Sequence, residues 1–571
     1  MMAFWKVFSL FLVLVFLCAS CLASNGTAEV LTVRVSQKHG VDDEDCLKHW
    51  NSSLAQPCRS LGQALLAVSR ARRVAILILD EQYSIERDVL IANSSMDIIV
   101  AESLNISGPS ELRCARDNVA VYIGTEDSNT NITISLQHLT FTGCGMEAPA
   151  SLFAWNCEDL RLKNCTFRDN HNAGFNAVDS SLRLTDCLFR NNTSNVNNTK
   201  RTFRLGRDSM GGGLGLYFTS QTGKTVEVSS TSFVFNRAAY FSSTQFVAPS
   251  RNSSHVEQGG GGVVIYCSQQ TQHVHVSFTR CEFTRNMATY GGGICTVIEG
   301  YSSNNSLNIT DSHFIENDAG QVGGGISLVL IDSSNTTKIH VQRSTFKKNG
   351  ARFAGGVNIF LGNKVPWKTS VMRFSEVLVQ GNFARDFVGS AIRIYSTAPF
   401  GAPLDTFPEF NNCNFTDHAV CEQINTLFGA IIVRKSELNF TGFNYFTRNT
   451  VAGALFLEQS SMHVHGKLVF EKNKGRFGGA INLQGSKIIL YPHCELSFLK
   501  NSASSVGGAL AAVSSGLPDL VHEYNPGCFL AYSEECVPHS QWKVSQRPVH
   551  LSQRSLLLSL HVEVDFKQCP G

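Results

Sequence analysis

Over much of the chain, apolar residues fall at every second position in short runs, as in Val274, Val276 and Phe278 or in Ile339 and Val341. Alternation of this kind turns one side of a strand inward and leaves the other to solvent. No apolar spacing of three and four residues appears between these runs, so the pattern predicts strands joined by turns, without amphipathic helices. One exception lies near the start. Ser60 and Gln63 flank the entry to Ala64-Leu65-Leu66-Ala67-Val68, and a Ser with Gln three residues on satisfies the free amides of a helix N-terminus, which predicts a short helix there. Val74 to Asp80 then reads as the first buried strand.

A repeat punctuates the strands. An aromatic residue, two further residues and Asn are followed by a glycine cluster and then by aliphatic residues. Clear copies are Phe283 and Asn286 with Gly291, Gly292 and Gly293, then Phe314 and Asn317 with Gly323, Gly324 and Gly325, then Phe346 and Asn349 with Gly355 and Gly356. Two more are Phe470 and Asn473 with Gly478 and Gly479, and Phe498 and Asn501 with Gly507 and Gly508. Weaker copies begin at Phe167, Phe233, Asn382 and Phe446. Asn286, Asn317 and Asn349 are spaced by 31 and 32 residues, and a period of that length means a solenoid. Helical solenoids and leucine-rich horseshoes need helices that the pattern lacks. A parallel β-helix remains, with three short strands per coil and coils stacked about 4.8 Å apart.

In that geometry each part of the repeat has a structural task. Equivalent Phe residues form an interior column, Asn amides form a hydrogen-bonded ladder, and glycines allow positive φ at corners. A glycine cluster that cradles a phosphate would be followed by a helix and by Lys-Ser/Thr, whereas strands follow here.

The three-faced coil resembles the right-handed parallel β-helix of the pectate-lyase-like superfamily. The pairing of Phe470 to Asn473 with Gly478-Gly479-Ala480-Ile481 resembles the repeats of chlamydial polymorphic outer-membrane proteins. The stretch from Cys46 through Pro57-Cys58-Arg59-Ser60-Leu61 is closer to large extracellular proteins of simple animals. The resemblance implies an all-β, right-handed parallel β-helix with a short N-terminal capping helix. It implies little about function, since one such coil carries lyases, hydrolases, adhesins and spacers.

The expected organisation is a signal peptide at 1–23, a Cys-containing segment with the capping helix at 24–73, β-helix repeats at 74–513 and an irregular segment at 514–571, where the repeat is lost. The signal peptide rests on Lys6, the apolar run Val7 to Leu17 and small residues ending at Ala23, too short a run to span a bilayer. No later segment is long and apolar enough to do so. Cleavage would remove Cys18 and Cys21 from the 18 cysteines and leave an even number in an oxidising compartment, with Cys46 and Cys58 as a candidate disulfide. For Cys165 and Cys187, about one coil apart, pairing and stacking as thiols both remain open. Sequons, which mark candidate glycosylation, begin at Asn25, Asn51, Asn93, Asn105, Asn131, Asn164, Asn191, Asn192, Asn197, Asn252, Asn304, Asn308, Asn335, Asn414 and Asn439.

Composition narrows the partners. The 571 residues carry 48 Lys+Arg against 46 Asp+Glu, a net charge of +2, and only 16% are charged, which argues against nucleic-acid binding through bulk charge. Candidate chemistry is sparse. Lyases and hydrolases of this fold gather carboxylates on adjacent coils, yet the one dense acidic run, Asp42-Asp43-Glu44-Asp45, precedes the coils. Asp186, Asp311 and Asp417 read as turn residues. His273 with His275 and His463 with His465 each supply two imidazoles, fewer than a zinc site needs. Lys200, Arg201, Arg204 and Arg207 form a basic cluster in a long insertion. No catalytic residue, cofactor or metal is expected. The reading is a secreted, glycosylated β-helix ectodomain that binds an extracellular protein or glycan. Its alternatives are a polysaccharide lyase or glycoside hydrolase, and a spacer within a longer extracellular protein. Oligomeric state stays open.

Overall fold

A computed structural model describes residues 31–41, 46, 56–67 and most of 73–513, with further strands at 520–523, 529–532, 543–546 and 557–563. The longest connections outside the described residues are 92–102, 195–210, 239–258, 398–407, 419–428, 533–542 and 547–556. The expected signal peptide, the Asp42 to Asp45 run and the Lys200 to Arg207 cluster therefore lie outside them.

One coil shows how the repeat is used. Val274–Thr279 lies in sheet A, Glu282–Thr284 in sheet B, Met287–Tyr290 at the next corner and Ile294–Glu299 in sheet C. The following coil repeats the path with Ser306–Thr310, His313–Ile315, Asp318–Val322 and Ile326–Ile331, each parallel to its predecessor. Sheets A, B and C hold 18, 15 and 14 strands, and only the last strands of sheet A pair antiparallel. This is an all-β, right-handed parallel β-helix, the hand that strand twist imposes on parallel crossovers.

Period-two burial places the core inside the coil. In Val274–Thr279 the residues Val274, Val276 and Phe278 are buried while His275 is exposed. The repeat phenylalanines stack face to face, with ring centroids 4.9 Å apart for Phe233 and Phe283, 4.6 Å for Phe283 and Phe314 and 4.7 Å for Phe314 and Phe346. Each fully buried ring contributes roughly 2–3 kcal/mol. The column resumes at Phe415, Phe446, Phe470 and Phe498. Val379 holds the intervening place, in register with Phe346 and Phe415.

Beside this column runs the amide ladder. Asn286 Nδ2 donates to Asn317 Oδ1 at 3.0 Å and to the Phe233 carbonyl at 2.7 Å, while the Asn286 backbone N–H donates to the same Asn317 Oδ1 at 3.0 Å. Both amide hydrogens and the side-chain oxygen are thus used in full, as a fully buried amide requires. The chain of contacts passes through Asn170, Asn192, Asn236, Asn286, Asn317, Asn349 and Asn382. It continues through Asn449, Asn473 and Asn501. One rung is different. Asn382 N–H donates to His418 Nδ1 at 3.1 Å and His418 N–H donates to Asn449 Oδ1 at 3.3 Å. His418 is fully buried, its Nε2 finds no partner, and burial pushes the imidazole down to about 4.

The corners divide their work differently from the sequence expectation. In the clusters that begin at Gly291, Gly323, Gly478 and Gly507 only the first member takes positive φ, as at Gly291 with 61°, and Gly355-Gly356 does without it. Gly293 is required for space, since an added Cβ would stand 2.5 Å from the Gly325 carbonyl oxygen and 2.9 Å from Phe314. The two tighter corners place ordinary residues in the left-handed region, including Arg280, Arg285, Asp311, Glu316, Arg343 and Lys348. At the corner between sheets A and B, the next residue supplies a second small ladder, in which Cys281 N–H donates to Ser312 Oγ and Ser312 N–H to Ser344 Oγ, both at 3.1 Å.

The stack extends past both expected limits. Leu31–Val35 pairs in parallel with Arg73–Ile78, so the first rung precedes residue 74; Leu31, Val33 and Val35 carry the period-two pattern in miniature. Leu520–Glu523 and Phe529–Tyr532 continue sheets A and B beyond residue 513. The glycine signature marks one corner, and its loss does not end the sheets. A helix forms at Leu61–Ala67, where Gln63 N–H donates to Ser60 Oγ at 3.1 Å. Cys46 is bonded to Cys58, and Cys114 to Cys144 on the next coil. Cys165 and Cys187 are stacked, buried thiols.

Replacing Asn317 by Ala strands the buried N–H groups of Asn286 and the Phe283 carbonyl, at about 1–3 kcal/mol each. Denaturant melts should show a loss of about 3 kcal/mol or more, against under about 1 kcal/mol for Glu316→Ala on the exposed corner beside it. His418 titrates lower in the folded chain than its ordinary value of 6.5, so its contribution is complete above about pH 6.5 and is lost as pH falls towards 4, by about 3 kcal/mol in total. His418→Asn restores the regular rung and should shrink the drop in Tm between pH 7 and pH 4; an unchanged drop would remove His418 as its source.

Candidate binding faces

The outside of sheet A is the longest uninterrupted surface built from the repeat. Because register is conserved from coil to coil, outward residues align in columns. One column runs Asn105, Ser135, Arg161, Arg183, Glu227, Ser277 and Asn308. It continues through His340, Arg373, Glu409, Asn439 and His463. Several carboxylates on this face are paired. Arg161 holds Asp159 through Nε at 2.9 Å, Arg183 lies 2.7 Å from Glu227, Arg373 lies 2.9 Å from Glu409, and His463 Nε2 lies 3.0 Å from Glu437. At one end a shallow groove of about 360 Å³ crosses four coils, lined by Asn105, Ser135, Arg161, Lys163 and Arg183 among others.

Three sequon asparagines, Asn105, Asn308 and Asn439, share that column. Asn308 is exposed and the other two are half-buried. Asn164, Asn191, Asn304 and Asn414 are exposed at corners or on sheet B. Asn192 must be corrected. It is 0% exposed, and its Nδ2 donates to Phe167 O at 2.9 Å and Asn236 Oδ1 at 2.8 Å, so it is a ladder rung and not a glycan acceptor in the folded chain. The signal was present as Phe189-Arg190-Asn191-Asn192, a copy of the repeat hidden under overlapping sequons. Asn131 lies on a strand, while Asn25, Asn51, Asn93, Asn197, Asn252 and Asn335 fall outside the described residues.

The remaining candidates disperse. Asp186, Asp311 and Asp417 all take positive φ at corners. Arg343 holds Asp311 below the usual carboxylate range, and Arg448 holds Asp417 down at about 2. His273 sits on a corner while His275 faces out from sheet A with Nδ1 2.8 Å from Ser306 Oγ. His465 stacks on Tyr491 at 3.8 Å, and His463 Nδ1 lies 3.0 Å from the Tyr491 hydroxyl. Among the described residues no three His, Cys, Asp or Glu side chains gather in metal-holding distance. Burial pushes the thiols of Cys157, Cys267, Cys295 and Cys413 up to about 12, which keeps them protonated and unreactive.

Two features escaped the sequence reading. Sheet C is buried on both sides: all of Val263–Cys267 is buried, and Phe153, Tyr217, Val264, Val297, Val329 and Phe360 form a second apolar cluster outside the coil. Unbroken apolar runs such as Val263-Val264-Ile265-Tyr266 carry that information. Arg393 is buried there, its guanidinium 4.9 Å from the Tyr395 ring, and burial followed by the charge of Arg434 pushes it down to about 10. On sheet B a groove of about 350 Å³ is lined by Arg168, Asp169, Arg190, Asn191 and Phe235.

No family model and no curated protein matches the sequence, and the comparisons give no support to a likeness to chlamydial repeats or to extracellular proteins of simple animals. Among solved structures the chain is similar to pectate lyase Pel9A, at 12% identity and a TM-score of 0.32 over 70% of this chain and 79% of that one. It is also similar to PfbA, a surface adhesin of Streptococcus pneumoniae, at 9% identity and a TM-score of 0.30 over 87% and 93%. A third is the Dettilon tailspike protein, at 10% and 0.26 over 85% and 70%. Scores at this level carry no argument about activity. Among the described residues no helix is long and apolar enough to cross a membrane.

Proposed function

We propose that this chain is a secreted, glycosylated β-helix ectodomain that binds an extracellular protein or glycan without turning it over. The observation that carries the reading is the single outward column shared by Asn105, Asn308 and Asn439 on sheet A. Glycans at those places would stand along this face and hinder a polysaccharide from lying across its coils. The charges of that face support the same reading. Asp159, Glu227 and Glu409 each meet a guanidinium and Glu437 meets the His463 imidazole, whereas acid–base cleavage of a sugar polymer needs two carboxyls facing one bond. Rows of hydroxyl, amide and guanidinium groups repeated at about 4.8 Å suit recognition of an extended ligand.

The test uses the full chain secreted from a eukaryotic host. Peptide mapping should find sugar on Asn308 and Asn439 and none on Asn192. Incubation with acidic and neutral polysaccharides, with and without Ca²⁺, should show binding to an immobilised ligand without unsaturated products or new reducing ends. Depolymerisation would overturn the proposal in favour of a lyase or hydrolase, and failure to bind any glycan or cell-surface protein would leave a spacer role.

A further inference from the structure

The corner that follows sheet B carries charged or amide side chains at its left-handed position in neighbouring coils, as in Asp169, Asn191, Arg285 and Glu316. Phe235 departs from this. Its φ is 57° and its ring is 44% exposed, although a bulky side chain is disfavoured in that region and an exposed phenyl is unfavourably hydrated. Asn191 occupies the same corner one coil earlier. Asn191 N–H donates to Val234 O at 3.0 Å and Phe235 N–H donates to Thr284 O at 3.0 Å, so the two corners stack at about 4.8 Å. On the far side the Arg285 guanidinium lies 5.6 Å from the phenyl centroid. Asn191 and Phe235 both line the 350 Å³ groove, whose other walls are Arg168, Asp169 and Arg190.

Asn191 begins the sequon Asn191-Asn192-Thr193 and is exposed, while Asn192 is held in the ladder. One Asn191 Nδ2 hydrogen is donated to Asp169 Oδ1 at 2.8 Å, and the other is free to be replaced. We infer that Asn191 is glycosylated and that its first N-acetylglucosamine lies in this groove with its apolar face on the Phe235 ring. The inference rests on the secreted, glycosylated reading above. The donor is an oligosaccharide on a polyisoprenyl diphosphate: a bond forms between Nδ2 and sugar C1, the C1–O bond to the diphosphate breaks, the diphosphate leaves, and Nδ2 gives up one proton. The hydrogen that remains on Nδ2 keeps Asp169 as its acceptor. Stacking removes apolar surface of both ring and sugar from water. Arg190, which pairs with no carboxylate among the described residues, supplies donors for the sugar oxygens.

The experiment compares the secreted wild type with Asn191→Gln, Phe235→Asn and the double variant, Asn being tolerated at positive φ and creating no new sequon here. Site mapping should find Asn191 occupied. The sugar at Asn191 should resist enzymatic release from the native protein and become labile in Phe235→Asn. The two substitutions should be non-additive in Tm by about 1–2 °C. An unmodified Asn191 beside an occupied Asn308 would overturn this inference alone, as would full additivity with equal release rates. Unmodified Asn191, Asn308 and Asn439 together would overturn the glycosylated reading on which it rests.

Discussion

Burying an amide side chain is costly unless every donor and acceptor is met, and the ladder meets them by using the coil above and the coil below. Asn286, Asn317 and Asn349 each take both neighbours, so no rung is satisfied alone. Stacking at one-coil spacing is therefore a condition of the fold and not a consequence of packing alone. The Phe column beside it is less demanding. It accepts Val379 in place of a ring, because dispersion falls off gradually with a lost contact, whereas a stranded N–H in an apolar interior is penalised in full. Where the ladder departs from Asn, at His418, the replacement still presents a ring nitrogen to Asn382.

The same constraint sorts the outside of the molecule. The corner between sheets A and B is held by short turns and small ladders, so columns on those faces stay in register and charges pair across coils, as Arg343 does with Asp311 at that corner and Arg285 with Glu316 at the corner after sheet B. These exposed pairs add little stability each. Their effect is to quench fields that separated charges would otherwise create along the face. The connections 195–210, 239–258 and 419–428 all lie between a strand of sheet B and one of sheet C. Sheet C has an apolar outer side, unlike the polar outer sides of sheets A and B.

Much of this was legible in the residues. Phe and Asn three apart, recurring about every 31 residues, define a column and a ladder, because only stacking of like on like satisfies both. The period-two runs led to parallel sheets. The acceptor status of Asn192 was misread, since a sequon and a repeat rung look identical in sequence and differ only in burial. The placing of positive φ was legible only in part: Gly291, Gly323, Gly478 and Gly507 take it, yet corners locked by hydrogen bonds on both sides impose it also on Arg285, Glu316 and Phe235.

The sequence by itself determined the coil, its period, its interior and the general character of its surface, for these follow from local alternation and from a short-range repeat. Which outward residues share a column was decided only by the tertiary structure. Asn105, Asn308 and Asn439 are far apart in the chain and fall in one line because the loops between strands vary in length while the hydrogen-bonded register does not. The meeting of Asn191 with Phe235 has the same origin. Strand pairing measures distance in coils, and the residue count between two positions carries no fixed relation to it.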